Sequence, residues 1–162
     1  MSSFSGDDKH LGNNIPCQQS EQKQQQQEEK LSPFTKRILI VDDDIDITFT
    51  IKKGFEAENK KDDNKIFFKL DAYNNPLQAL SEFKPDFYDL ILIDINMPTM
   101  DGLEFSAKIL NLDVNPRICL MSSGMINQDA LAEQHPSRGI GCFITKPVTI
   151  ENLVGRVKAE LD

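Results

Sequence analysis

From Lys36 onward, short aliphatic runs alternate with segments in which apolar residues recur at helical spacing. The runs are RILIV (37–41), IFFKLDA (66–72), DLILI (89–93), RICLM (117–121) and CFIT (142–145). Most are nearly continuous in apolar residues and bounded by polar ones, so they predict strands buried on both faces. Ile47, Ile51 and Phe55 stand at i, i+4 and i+8 and predict an amphipathic helix with Lys52 and Lys53 facing water. The polar segment ENKKDDNK then leads to the second strand. Asn75 followed by Pro76 reads as an N-cap and an N1 proline, opening a helix through Leu77, Leu80 and Phe83. A third helix is expected along Leu103, Ala107 and Leu110, and a short one near 127–134 that ends before Pro136. The last runs along Ile150, Val154, Val157 and Leu161. Five strand-helix alternations predict an α/β fold, a parallel sheet covered by helices on both faces with right-handed connections.

Residues 1–35 do not share this pattern. Gln18 to Lys30 (QQSEQKQQQQEEK) contains no apolar residue that could define a buried face. A disordered, Gln-rich polar arm is predicted at 1–35, leaving 36–162 as one folded domain. Composition agrees with a single core, since 39% of the 162 residues are apolar. The formal charge of -8 lies mostly in the folded part: residues 1–35 hold three lysines against five acids, and the remainder fifteen basic against twenty-one acidic residues. An acidic domain is a poor match for nucleic acid, whose phosphates need a basic face. No apolar run approaches a membrane span, and MSSFSGDDKH lacks the layout of a signal peptide, so a cytoplasmic protein is expected. Cys17, Cys119 and Cys142 are far apart and include no C-x-x-C pair, which suggests neither a disulfide framework nor a zinc site. Cys119 and Cys142 read as buried small residues in strands, reduced in a cytosolic setting. His10 and Cys17 lie in the arm, and His135 beside Pro136 has no evident partner, so none of the three is expected to be a ligand.

Chemistry enters at the carboxyl ends of the strands, where open parallel sheets place their ligands. The first strand ends in Asp42-Asp43-Asp44, the third in Asp94, the fourth in Ser122-Ser123 and the fifth in Lys146-Pro147. Each is unremarkable alone: Asp94 could be a turn residue, the Asp triplet a helix cap, Lys146 a surface lysine. Together at one edge they form a candidate site. Crowded carboxylates require a raised pKa or a cation, and an all-oxygen donor set suits Mg2+. Lys146 adds a point charge for an anion and Ser122 a hydrogen-bond donor. This is equipment for phosphoryl transfer, with Asp94 as an already ionised nucleophile. Asp44 or Asp46 is expected to cap the following helix.

The segments ILIVDDDIDI, LILIDINMPTMDGLEF, LMSSG and FITKP resemble, in order and spacing, the motifs of the response regulator receiver domain of two-component signalling, in its chemotaxis-regulator-like single-domain form. The resemblance covers about 36–162. It implies a flavodoxin-like sheet with strand order 2-1-3-4-5, and a phosphoryl group accepted by Asp94 from a histidine kinase or phosphotransfer protein. It further implies that Asp42, Asp43 and Asp94 hold Mg2+ together with the backbone carbonyl of Asn96. Ser122 and Lys146 would contact the phosphoryl oxygens, and Lys146-Pro147 would be a cis peptide. The family's switch pairs the hydroxyl residue with an aromatic on the fifth strand, here Ser122 and Phe143. Phe143 has no phenol hydroxyl, so packing and switching are both open to it.

Other positions depart from the family pattern. Val148 stands where relatives often carry Phe, Pro136 shortens the expected fourth helix, and Gly124 has no side chain to orient water at a position that, with Asn96, tunes phosphoryl lifetime in relatives. The loop at 56–65 is long and charged. Two other readings use the same residues: a receiver-like module that only binds, and a haloacid-dehalogenase-type Mg2+ phosphohydrolase, matched by Asp42-x-Asp44 but lacking a late acidic pair. A calcium loop is excluded, because Ile47 and Lys53 stand where an EF-hand needs Gly and Glu. With the sequence ending at Asp162, no output domain is expected; the output would be a protein contact with an unknown target, a homodimer among the options.

Overall fold

The computed structural model describes residues 34–61, 66–124 and 140–162. The polar segment 1–33 and the short helix expected near 127–134 lie outside the described residues. Five strands, β1 (Thr35–Val41), β2 (Phe67–Tyr73), β3 (Leu90–Asp94), β4 (Arg117–Ser122) and β5 (Ile140–Thr145), pair in parallel in the order β2-β1-β3-β4-β5. This is the doubly wound, flavodoxin-like order. The described helices are α1 (Ile45–Glu58), α2 (Pro76–Glu82), α3 (Gly102–Leu112) and α4 (Ile150–Leu161).

Alternation of side chains along each buried strand divides the core into two layers. Ile38, Ile40, Leu90 and Leu92 face α1 and α4, packing on Ile51, Phe55, Leu153 and Val157. Leu39, Val41, Ile91 and Ile93 face the other way, toward Ala79 of α2 and Phe105 and Ile109 of α3. Both faces of β1 and β3 are therefore dry, which is why their sequences are continuous apolar runs. β2, at the sheet edge, buries only Phe68 and Leu70 fully and alternates with exposed residues. Its edge is partly covered: the side-chain amide of Asn59, the residue capping α1, donates to the Phe68 carbonyl and accepts from the Phe68 N–H, both at 2.8 Å.

The expected elements that fall within the described residues are present, with corrections in their limits and faces. β1 begins at Thr35, two residues before RILIV, because Thr35 and Lys36 pair with Phe67 and Phe68, a pairing that leaves no apolar mark. β5 likewise starts at Ile140. The expected Leu103-Ala107-Leu110 face of α3 is displaced by about one position. The buried face is Gly102, Phe105, Ser106 and Ile109, Leu103 and Leu110 are partly buried, and Ala107 is exposed. Ser106 can be buried because its hydroxyl donates to the Gly102 carbonyl at 2.6 Å. In α2 the buried residues are Pro76 and Ala79, and Leu77 is half exposed, because the short helix turns its N1 proline to the sheet.

Candidate functional site

Asp42 follows the last residue of β1 and is fully buried, yet both its carboxylate oxygens are occupied. Oδ1 accepts from the Asp44 N–H at 2.9 Å and Oδ2 from Lys146 Nζ at 2.7 Å. Asp44 caps α1, its side chain accepting from the Asp46 and Ile47 N–H groups. Of the two candidate caps it is the one used. Asp43, exposed between them, turns its carboxylate toward the same point.

Asp94 is the last residue of β3 and is 6% exposed. Oxygen atoms of Asp42, Asp43 and Asp94 lie within 4.8 Å of one another. Lys146, just past β5, reaches between two of them, with Nζ 3.4 Å from Asp94 Oδ1 as well as in contact with Asp42. Burial, and then the charge of Asp42, push the Asp94 carboxyl above its ordinary range; Lys146 and the Asn96 N–H, 3.4 Å from Oδ1, oppose the shift without cancelling it. Burial alone would lower the Lys146 ammonium, but its bonds to Asp42 and Asp94 outweigh this and raise it. One ammonium thus serves carboxylates that number three, and the cluster keeps an unmet demand for positive charge. Hard oxygen donors with no His or Cys among them fit Mg2+ by their chemistry.

Ser122 ends β4 and is buried; its Oγ accepts from the Gly124 N–H at 3.1 Å. The Ser122 carbonyl accepts from the Lys146 N–H at 2.7 Å, which ties the β4 and β5 ends together. Lys146-Pro147 is cis, as the sequence motif implies. Phe143 pairs with Leu120, two residues before Ser122, so Ser122 and Phe143 share a face of the sheet. Phe143 is partly buried against the α2 and α3 layer. Beside the carboxylates a cleft of about 530 Å³ opens between α1 and α4, with Ile47, Ile51, Met121 and Val148 in its walls and Lys146 at its polar end.

One contributor escaped the sequence reading. Asn74, after β2, donates from its amide to the Asp42 carbonyl at 2.9 Å and to Thr48 Oγ1 at 3.0 Å, pinning the acidic loop to the first turn of α1. An Asn in a turn before Asn75-Pro76 carries no sequence signal for this task.

Five parallel strands in this order, with acids, a hydroxyl and a lysine at their carboxyl ends, define a doubly wound α/β domain with an acidic site at one edge of the sheet. Residues 38–158 match the family model of the response regulator receiver domain, and the chain belongs to that family, the receiver domain of two-component systems. It is 32% identical over 125 residues to the transcriptional regulatory protein ResD of Bacillus subtilis, a match covering 77% of this chain and 48% of ResD. The transcriptional regulatory protein PrrA of Mycobacterium bovis is 28% identical over 125 residues, covering 77% and 49%. The chain therefore spans about half the length of these curated relatives. A CheY-like receiver domain protein from Methanospirillum hungatei superposes with TM-score 0.63 at 26% identity, covering 79% of this chain and 94% of that one. TrrA of Thermotoga maritima, solved in complex with Mg(2+)-BeF, gives 0.61 at 26%, covering 78% and 99%. Receiver domains as a class bind Mg2+ and interact with histidine kinases and downstream effectors.

Proposed function

We propose that this chain is a phosphorylation-dependent switch of a cytoplasmic two-component phosphorelay, accepting a phosphoryl group on Asp94. The observation that carries this reading is the placement of Asp94: buried at a strand end, within 4.8 Å of Asp42 and Asp43, and in ion-pair contact with Lys146. Asp42, Asp43, Asp94 and the Asn96 carbonyl would hold Mg2+, which when bound supplies positive charge to the transferring phosphoryl group. A carboxylate oxygen of Asp94 attacks phosphorus while the bond to the donor's imidazole nitrogen breaks. In its carboxylate form Asp94 needs no general base. Lys146 moves from sharing two carboxylates to balancing the new phosphoryl oxygens, and the Ser122 hydroxyl donates to one of them. With Ser122 drawn toward Asp94, space opens on the face it shares with Phe143, and the Phe143 ring follows. Phosphorylation shifts the population only as far as it favours that second arrangement.

The donor is a histidine kinase or phosphotransfer protein, and the output a contact with another protein. The test is the intact mass of the protein after incubation with acetyl phosphate. A single phosphoryl adduct is expected that needs Mg2+ and disappears in Asp94→Asn. Steady phosphate release without an adduct would instead identify a hydrolase. No adduct, with beryllofluoride also failing to bind, would identify a binding-only module.

A further inference from the structure

The two cysteines of the described core are neighbours. The β4–β5 ladder shifts register between Ile118 and Cys119: Ile118 pairs with Ile140, but Cys119 pairs with Cys142, leaving Gly141 as the extra residue. This irregularity sets the two cysteines side by side with both side chains in the layer under α4. Paired residues on adjacent strands stand about 4.8 Å apart, inside the Cα separation of ordinary disulfides. Both are free thiols.

Cys142 also has a cation. Arg156 of α4 places Nη2 3.1 Å from Cys142 Sγ, and the same nitrogen lies 3.4 Å from the Phe143 carbonyl. Arg156 is itself exposed, whereas Cys119 and Cys142 are buried. Pairing with Cys119, and then Arg156 working against burial, hold the Cys142 thiol below its ordinary range, while Cys119 is pushed up. A thiolate beside a cation with a second thiol in reach is the arrangement of a peroxide-sensitive pair. The receiver site does not use it.

We propose that Cys142 and Cys119 form a reversible oxidation site for hydroperoxides, with Cys142 as the attacking sulfur and Cys119 as the resolving one. The Cys142 thiolate attacks one peroxide oxygen: an S–O bond forms, the O–O bond breaks, and the departing alkoxide leaves as alcohol, or as water from hydrogen peroxide, with the proton Cys142 had shed. Cys119 sulfur then attacks the sulfenic sulfur, the S–S bond forms, and the hydroxyl leaves with the Cys119 proton as a second water. Two thiols lose two electrons and the peroxide gains them. A thiol reductant reverses the change, and while it lasts a covalent tie joins β5 to β4 one residue before Phe143.

The test treats the Cys17→Ser protein, which keeps the described core intact, with hydrogen peroxide, then denatures it in a thiol-blocking alkylator and maps the peptides. A Cys119–Cys142 disulfide is expected, reversed by dithiothreitol. Arg156→Met should slow its formation at least threefold, and Cys119→Ser should leave Cys142 open to trapping by a sulfenic-acid reagent. Both cysteines alkylated in full after peroxide, or oxidation that is as fast in Arg156→Met, would overturn the proposal. If Cys119→Ser fails to fold, the disulfide in the parent and the Arg156→Met rate still decide it.

Discussion

The oxygens of Asp94 and Asp42 lie close together in the fold with Lys146 between them, so this site is held against its own repulsion. Asp94's pKa is higher folded than in its ordinary 3.8 state, so its protonated form favours the folded chain. That contribution is complete below 3.8 and is lost as pH rises through the raised value. At neutral pH without metal, Asp94→Asn should therefore stabilise the protein. The gain, read as a shift in thermal midpoint, should shrink as pH falls through the Asp94 pKa. Lys146→Met is expected to act in the opposite sense. It leaves the buried Asp42 and Asp94 uncompensated and should cost about 3 kcal/mol in denaturant unfolding. Part of that loss should return in the double variant with Asp94→Asn, since the two positions share one ion pair. Asp94 and Lys146 were legible because each terminates an apolar run that the sheet buries. Asn74 was not, because its value lies in a hydrogen bond to a backbone carbonyl thirty-two residues earlier in the chain.

The strands that deliver these residues were legible for the same reason as the site: a strand covered on both faces must be apolar throughout. Helix faces were less so. Apolar residues lie on two sides of α3, and the sheet selects Phe105 and Ile109 over Ala107. Nor could the sequence show that Gly141 is an extra residue in the ladder, on which the facing of Cys119 and Cys142 depends. Gly102, opening α3, shows how tightly element and site are joined. A Cβ there would lie 2.5 Å from the Asp94 carbonyl oxygen and 2.8 Å from Ile95 Cα, both backbone atoms that cannot step aside. Gly102→Ala should cost about 2 kcal/mol and lower phosphorylation of Asp94 through displacement of the β3 end. Phe55, fully buried on α1 and edge-on to Phe68 at 5.1 Å, anchors the opposite layer far from the carboxylates. Phe55→Ala should cost about 3–4 kcal/mol in unfolding experiments while leaving Mg2+ affinity of the folded fraction unchanged.

For the molecule as a whole, function rests on four separate strand ends meeting at one edge, an arrangement that only the folded chain has. Mg2+ binding there would stabilise the folded state alone. At a free concentration tenfold above its dissociation constant the gain is about 1.4 kcal/mol, or about 4 °C in the thermal midpoint of a domain of this size. Asp43→Asn should reduce that shift with little effect on the metal-free midpoint, because Asp43 is exposed. α1 and α4 are also tied at the end remote from the site, where Lys158 and Lys61 bond Glu58 and hold its carboxyl below the ordinary range. The edge that carries the site thus belongs to a framework clamped at the other.

The central claim is that Asp94, rather than one of its acidic neighbours, receives the phosphoryl group. The most direct measurement is reductive trapping: phosphorylate with acetyl phosphate and Mg2+, reduce the acyl phosphate with borohydride, and locate the resulting homoserine by peptide mass spectrometry. Homoserine at position 94 is predicted, with Asp42 and Asp43 unmodified. Homoserine at 42 or 43, or none in a protein that binds Mg2+, would contradict the account.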